Sequence, residues 1–216
     1  MKALIFDMDG VIVNSEPIWI ASKQKMLQEQ GVEVLDSYHH QLFGMTLMAM
    51  WTKIHSDFQL QLSVKECITR GEEIRHEMRS SEPIKSIPGV VALIRELSQI
   101  GIPLAIASSS PNKDISKVVD DLGIRECFKV LVSGEDGERS KPDPEIFLKA
   151  AKKLGVAPSQ ILVIEDAVNG VTAAKSAGMK CIGFENPEFE KQDLSQADGI
   201  IRDLSTLTIE QCKSYF

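Results

Sequence analysis

Apolar residues in the second half of the chain repeat one pattern, in which an amphipathic stripe ends on a glycine and an aliphatic run follows. Apolar positions three and four residues apart predict a helix before each of Gly101, Gly123, Gly155 and Gly178. Glycine accepts the left-handed conformation that ends a helix. The aliphatic runs predict strands at PLAIA (103–107), KVLVS (129–133), ILVIE (161–165) and KCIGF (180–184). Because these runs are continuous rather than alternating, they indicate a parallel sheet covered on both faces, and therefore a doubly wound, Rossmann-like α/β core.

One long interval interrupts this pattern. A first strand, ALIF at 3–6, is followed by a stretch far longer than one crossover helix before the next strand begins. Within the stretch, helical stripes include Trp19 and Met26, then Trp51 and Ile54, and we find no strand pattern. We therefore predict a small all-helical cap domain at 14–84, inserted after the first strand of a core formed by 1–13 and 85–216. Such an insertion would lie over the carboxyl ends of the strands, where open α/β sheets bind ligands.

Composition and charge narrow the classes of function. The chain has 216 residues, of which 43% are hydrophobic, and a net charge of -7, which disfavours non-specific nucleic-acid binding. The four cysteines form no CxxC pair, so reduced thiols of an intracellular protein explain them most simply. The apolar runs are too short for a signal peptide or a membrane span. We expect a soluble cytoplasmic protein with no nucleic-acid or membrane partner.

Two acids stand at the end of the first predicted strand. Asp7 follows the apolar run directly, and Asp9 comes two residues later with a glycine behind it. Residues two apart on an extended backbone point to the same side, so the two carboxylates would share one small space. Like charges at such a distance repel each other, and burial adds a desolvation cost. A divalent cation is the simplest compensation.

Polar residues also follow the other predicted strands. Ser108 ends the run PLAIA beside a helix start, where a hydroxyl and backbone N–H groups make a phosphate cradle. Its neighbour Ser110 fits the pattern of a helix N-cap before Pro111. Lys141 lies in SKPDP, and Glu165 and Asp166 end the run ILVIE.

Each of these clusters has an ordinary explanation as a cap or a solvated loop, but parallel strands bring all of them to one edge. Together they offer hard oxygen ligands for Mg²⁺ and counter-charge for a phosphate. A calcium loop of the EF-hand type is excluded, because its later ligand positions would fall on Val11 and Ile18.

In chain order, DMDGV, the serine after PLAIA, SKPDPEIF and IEDAVNG resemble the four motifs of the haloacid dehalogenase-like hydrolase superfamily. The helical insertion is similar to the cap of its β-phosphoglucomutase-like branch, which holds sugar-phosphate phosphatases and mutases. By this resemblance, Asp7 would be the nucleophile that forms an aspartyl phosphate. Asp9 would be the general acid and then the general base. Ser108 would bind a phosphate oxygen, and Lys141 would offset the charge of Asp7 and the phosphate.

The resemblance also implies a magnesium site and further contacts with the substrate. Mg²⁺ would bind the Asp7 carboxylate, the Asp9 backbone carbonyl and Asp166, with Glu165 near it through water. Dehalogenation is disfavoured, because the dehalogenating branch lacks the second acid that this chain has at Asp9. The substrate-binding candidates are Ser109, Asn112, Trp19 and Phe43.

The sequence favours a phosphatase acting on a small phosphomonoester, with a sugar-phosphate mutase as the alternative. Mutases of this branch hold a second phosphate with basic cap residues, and the matching positions here are Trp19, Phe43 and Leu47. SEPIW at 15–19 also resembles the hinge of sugar-phosphate phosphatases. Trp19 and Phe43 would form an apolar lid over the substrate or, equally, belong to the cap core. A catalytically idle binding protein is a third hypothesis. We expect a monomer with a small-molecule phosphate ester as its partner.

Overall fold

The computed structural model describes residues 1–40, 42, 47–81, 84–187 and 191–216. The chain divides into two compact units. Met1–Asn14 and Ile84–Phe216 form the first, which we call the sheet unit. Ser15–Pro83 forms the second, which we call the helical unit.

A six-stranded sheet lies at the centre of the sheet unit. Every strand pair is parallel, and the order across the sheet is β3-β2-β1-β4-β5-β6. The strands are β1 (Ala3–Phe6), β2 (Leu104–Ser108), β3 (Val130–Ser133), β4 (Ile161–Glu165), β5 (Lys180–Phe184) and β6 (Gly199–Ile201). The predicted α/β fold with a parallel sheet is confirmed. The sequence pattern did not predict β6, because a three-residue strand at the sheet edge is too short to show one.

Helices cover both faces of this sheet. They are α5 (Val90–Gln99), α6 (Asn112–Asp121), α7 (Glu145–Leu154), α8 (Val168–Ser176) and α9 (Ile209–Lys213). The first two and the last pack with Leu4 and Phe6 on one face, whereas α7 and α8 pack with Ala3 and Ile5 on the other. All four of these strand residues are fully buried, as expected for a parallel sheet covered on both faces.

The four glycines predicted to end helices do so in the left-handed conformation. Gly101, Gly123, Gly155 and Gly178 have φ angles of 78°, 60°, 72° and 75°. Residues with a Cβ rarely adopt these angles, so the glycines fix where each helix stops and the chain turns toward the sheet.

The described residues of the helical unit form α1 (Glu16–Glu29), α2 (Asp36–His40), α3 (Leu47–Phe58) and α4 (Val64–Ser81). Its core surrounds Trp51, which is 2% exposed, and includes Met26, Ile54 and Ile74. Gly71 on α4 leaves room for the Trp51 ring, because a Cβ at this position would lie 2.9 Å from Cζ2 of that ring.

Ile5 should contribute far more to stability than an isoleucine on the edge strand. Ile5 is fully buried on the central strand, so Ile5→Ala should lower the free energy of unfolding by about 2–5 kcal/mol. Ile200 on β6 is 49% exposed, so Ile200→Ala should change it by about 0.5 kcal/mol or less. Urea unfolding of both variants measures this difference. Equal losses would contradict the burial described here.

Candidate active site

The pairing of β1 with β4 brings Asp7 and Glu165 to the same edge of the sheet. Phe6 is the register partner of Ile164, and the Asp7 N–H donates to the Ile164 carbonyl at 3.0 Å. Asp7 and Glu165 are the next residues along these two parallel strands. Their side chains therefore emerge side by side at the carboxyl ends, where open α/β sheets bind ligands.

Lys141 lies between these two acids. Its Nζ is 2.5 Å from Asp7 Oδ1 and 2.8 Å from Glu165 Oε1. The lysine side chain is only 9% exposed, and its Nζ lies 5.0 Å from the centroid of the Phe147 ring on α7. A buried ammonium needs such partners, because burial without them strongly disfavours the charged form. Lys141 is therefore not a solvated loop lysine.

Asp166 completes a group of three carboxylates around this lysine. Asp7, Glu165 and Asp166 each offer an oxygen, and these oxygens all lie within 4.8 Å of one another. Burial raises the pKa of Asp7 to about 8, against the opposing effect of Lys141 and with a further rise from Glu165. Burial, followed by the charges of Glu165 and Asp7, raises the pKa of Asp166 well above its usual range.

Burial and the neighbouring charges act on the pKa of Lys141 in opposite directions. Burial alone would lower the pKa of Lys141, but the charges of Asp7 and Glu165 raise it above its usual range. One ammonium thus faces three carboxyl groups, and the raised pKa values of Asp7 and Asp166 indicate that it does not keep all three ionised. Carboxylate oxygens are the ligands that hard divalent cations prefer, so the residues fit Mg²⁺. The Asp9 side chain does not belong to this group, and the role of its backbone carbonyl stays a prediction.

Asp9 faces a second group of residues, on the side of β2. Its Oδ2 accepts a hydrogen bond from Ser110 Oγ at 2.6 Å and one from Ser108 Oγ at 3.4 Å. The Ser108 hydroxyl also accepts from the Ser110 N–H at 3.0 Å, and Ser133 Oγ donates to the Ser110 carbonyl at 2.7 Å. The two acids at 7 and 9 therefore have different partners, Lys141 for the first and serine hydroxyls for the second.

The interpretation of Ser110 as an N-cap is wrong. Helix α6 begins at Asn112, its N-cap residue is Pro111, and no side chain caps it. The Ser110 hydroxyl donates to Asp9 instead, so the sequence analysis missed a partner of the proposed general acid. The available signal was its position two residues beyond Ser108 at the end of a strand, but a serine before proline fits a helix cap equally well.

The loop after Asp9 is held by a residue that the sequence analysis also missed. Gly10 has a φ of 85°, and its N–H donates to the Val13 carbonyl at 2.8 Å. Asn186, which is 7% exposed and lies beyond β5, donates from Nδ2 to the Gly10 carbonyl at 3.2 Å. This bond joins the loop that carries Asp7 and Asp9 to the segment that follows β5.

The predicted substrate-binding residues of the sheet unit lie at its surface. Ser109 and Asn112 are both exposed. The Asn112 backbone N–H and its Nδ2 donate to Glu135 Oε2 at 2.9 and 3.2 Å, and Nδ2 also donates to Asp136 Oδ1 at 3.4 Å. Two carboxylates therefore already occupy the amide donors of Asn112.

The two remaining candidates belong to the helical unit. Trp19 on α1 is half-buried, and the guanidinium carbon of Arg75 lies 4.0 Å from the centroid of its ring. Arg75 also forms an ion pair with Glu72 one turn away on α4. Phe43 lies outside the described residues, so its predicted role is not tested. Leu47, the third position compared with mutases, is 36% exposed at the start of α3.

Comparison with known proteins identifies the family of this chain. Residues 4–184 match the family described as haloacid dehalogenase-like hydrolase. The chain belongs to this family. The match includes Asp7, Ser108, Lys141 and Glu165, so all four regions of the predicted motifs lie inside it.

Curated relatives match most of the chain at about 30% identity. The chain is 34% identical over 211 residues to the bifunctional riboflavin kinase/FMN phosphatase of Arabidopsis thaliana, covering 97% of this chain and 55% of that protein. It is 31% identical over 182 residues to the phosphorylated carbohydrates phosphatase of Thermotoga maritima, covering 84% of each. It is 30% identical over 216 residues to the β-phosphoglucomutase of Bacillus subtilis, covering 97% of this chain and 93% of that protein.

A solved structure shares the fold along nearly the whole chain. The crystal structure of CbbY from Rhodobacter sphaeroides in complex with phosphate aligns with a TM-score of 0.85 over 99% of each chain, at 22% identity. Within the described ranges, none of the helices combines the length and the apolar character that a membrane crossing requires.

The raised pKa of Asp7 predicts how stability depends on pH in the absence of metal. The folded protein keeps the proton of Asp7 up to about pH 8, whereas the unfolded chain releases it near pH 4, at about the usual value for aspartate. The folded state thus binds more protons in this window, so this group makes stability fall as the pH rises from about 4 to about 8. In EDTA, Asp7→Asn should raise the melting temperature, and by more at pH 8 than at pH 5.

Asp198 provides a control with the opposite sign. Although burial raises its pKa, hydrogen bonds from Lys175, the Cys181 N–H and Lys180 lower it to about 2. Its stabilising contribution is complete above about pH 4, because it is lost only as the pH falls toward the folded pKa. Asp198→Asn should therefore lower the melting temperature at both pH 5 and pH 8. Melting temperatures that fall equally in both variants would contradict the assignment for Asp7.

Proposed function

We propose that this chain is a Mg²⁺-dependent phosphatase that hydrolyses a small phosphomonoester, a sugar phosphate, through an aspartyl phosphate on Asp7. The expected enzyme type, a haloacid dehalogenase-like phosphatase, is confirmed by the family match and by relatives named as phosphatases. The observation that carries the proposal is the position of Asp7 at the sheet edge, paired with Lys141 inside a group of three carboxylates.

The first half of the reaction uses Asp7 and Asp9. A carboxylate oxygen of Asp7 forms a bond to phosphorus while the bond from phosphorus to the ester oxygen breaks. Asp9 donates its proton to the departing alkoxide. Lys141 stays beside Asp7 and offsets part of the negative charge that collects there during the transfer.

The second half returns the enzyme to its starting state. Asp9, now ionised, takes a proton from water while the water oxygen forms a bond to phosphorus. The bond between phosphorus and Asp7 then breaks, which releases inorganic phosphate. The hydroxyls of Ser110 and Ser108 donate to Asp9 and stabilise its ionised form between the two steps.

A magnesium ion would be held by Asp7 and Asp166, with Glu165 beside them. When bound, Mg²⁺ supplies positive charge that stabilises the ionised carboxylates and the phosphoryl oxygens. Glu165 is already engaged through both oxygens, by Lys141 at 2.8 Å and by the Ala167 N–H at 2.9 Å. It is therefore suited to orient its neighbours and a bound water.

The choice of a sugar phosphate as substrate is supported by the relatives. One of them is named for phosphorylated carbohydrates and covers 84% of this chain.

A cytoplasmic location, a monomeric state and the absence of nucleic-acid or membrane partners stay predictions. The four cysteines, Cys67, Cys127, Cys181 and Cys212, are free thiols.

A mutase is the second candidate, because one relative is a β-phosphoglucomutase. A mutase must hold a second phosphate, which needs charge-assisted donors such as arginine or lysine. The positions compared with mutases hold Trp19, Phe43 and Leu47, none of which is basic. In the helical unit, Arg75 beside Trp19 is already paired with Glu72. These observations favour the phosphatase.

Turnover of p-nitrophenyl phosphate should require metal and both acids. EDTA should abolish turnover, and Mg²⁺ should restore it. Asp7→Asn removes the nucleophile, so turnover and phosphoenzyme should both be lost, whereas Asp9→Asn should slow turnover by about 10²–10⁴-fold. Asp198→Asn, an acid outside the group, should retain turnover when assayed well below its melting temperature. Full turnover in EDTA, or by Asp7→Asn, would contradict the proposed site.

Product analysis should separate a phosphatase from a mutase. With β-glucose 1-phosphate and Mg²⁺, we expect inorganic phosphate and free glucose, because a distal phosphate would be poorly paired and costly to desolvate. Phosphorus NMR, with and without a sugar bisphosphate primer, measures both outcomes. If glucose 6-phosphate accumulates faster than inorganic phosphate, the chain is a mutase.

A further inference from the structure

Gly170 lies inside a helix, where glycine is not favoured. It is the third residue of α8, it is buried, and it is not among the glycines with positive φ. Glycine in a helix is less stable than alanine, because it loses more backbone freedom on folding. Backbone conformation therefore does not explain this glycine, and the reason lies in the space around it.

That space is filled by one carboxylate. A Cβ placed on Gly170 would overlap Glu165, whose Oε2 would lie 2.5 Å away and whose Oε1 and Cδ would lie closer still. The three nearest atoms all belong to this side chain. A contact with the end of a long side chain is usually relieved by a small rotation, so the consequence depends on how freely Glu165 can move.

Glu165 is buried, and both of its carboxylate oxygens accept hydrogen bonds. Its exposed fraction is 1%, and its backbone belongs to β4, next to Gly183 of β5. Oε1 accepts from Lys141 Nζ at 2.8 Å, and Oε2 accepts from the Ala167 N–H at 2.9 Å. Any rotation away from a Cβ at position 170 would lengthen one or both of these bonds.

We infer that Gly170 is a positioning residue, whose missing side chain lets the Glu165 carboxylate lie against α8 and hold Lys141 beside Asp7. Gly170 acts only through Glu165. Its effect on catalysis rests on the proposed function, whereas its effect on the carboxylate group and on metal binding does not. Carboxylates that support a metal site typically contribute about 10-fold to 100-fold in affinity or activity.

Gly170→Ala tests this inference, because helix propensity and the Glu165 contact predict opposite signs. Propensity alone predicts a higher melting temperature. The contact predicts a lower one in EDTA, together with Mg²⁺ binding weakened by about 10-fold to 100-fold in calorimetric titration. Turnover of p-nitrophenyl phosphate should fall by a similar factor.

Two further variants identify the cause. Glu165→Asp shortens the side chain by one methylene, so Gly170→Ala should cost less stability and Mg²⁺ affinity in the Glu165→Asp background than in the wild type. Gly71→Ala is the matched control, because its Cβ would lie 2.9 Å from the Trp51 ring in the helical unit. It should lower the melting temperature but leave Mg²⁺ affinity unchanged.

The possible outcomes are distinct. If Gly170→Ala does not fold but the double variant with Glu165→Asp does, the inference is supported. If Gly170→Ala raises the melting temperature and leaves Mg²⁺ affinity unchanged, or if the double variant is no better than the single one, the inference is wrong. If the wild type itself turns over no phosphate ester, the proposed function fails, while the melting temperatures still decide the role of Gly170.

Discussion

The candidate active site depends on one buried cation, Lys141, whose ammonium donates to the carboxyl groups of both Asp7 and Glu165. The lysine is stable at this position because Asp7 and Glu165 keep it charged, and the acids are tolerable because the lysine lies between them. Each partner comes from a different part of the chain: the end of β1, the segment before α7 and the end of β4. The strand order, with β1 next to β4, is what brings them together.

The same burial that makes this group costly suits it to phosphoryl chemistry. Burial, together with the neighbouring carboxylates, raises the pKa of Asp7 and that of Asp166, so the protein alone does not keep both acids ionised. In the proposed function, a divalent cation and the lysine would together balance the charge of the ionised acids and of a bound phosphate ester. Groups of this kind commonly lower stability in exchange for activity, and they concentrate at active sites.

The sequence predicted the sheet because strands buried on both faces leave continuous aliphatic runs, and it predicted the helix ends because glycine accepts a positive φ there more readily than other residues. The edge strand β6 is too short to leave such a run. Asp7 and Asp166 stood out as polar residues directly beyond buried strands, and Lys141 stood out through the resemblance of SKPDPEIF to a family motif. Ser110 and Gly170 did not, because a serine before proline and a glycine in a helix have ordinary local explanations. Ser110 bonds to Asp9, which lies 101 residues earlier in the chain, and Gly170 faces Glu165 across the turn from β4 to α8. Neither contact shows in the periodicity of the sequence.

The central place of β1 in the sheet also orders the events of folding. Both of its neighbours, β2 and β4, come much later in the chain, and contacts between residues distant in sequence form slowly. On a ribosome, β1 has no neighbouring strand to pair with while the whole helical unit is synthesised. The acids of β1 and β4 meet Lys141 only after the last of these segments has emerged. A chain interrupted before β4 therefore has Asp7 and Lys141 but lacks Glu165 and Asp166, so the group of three carboxylates cannot form.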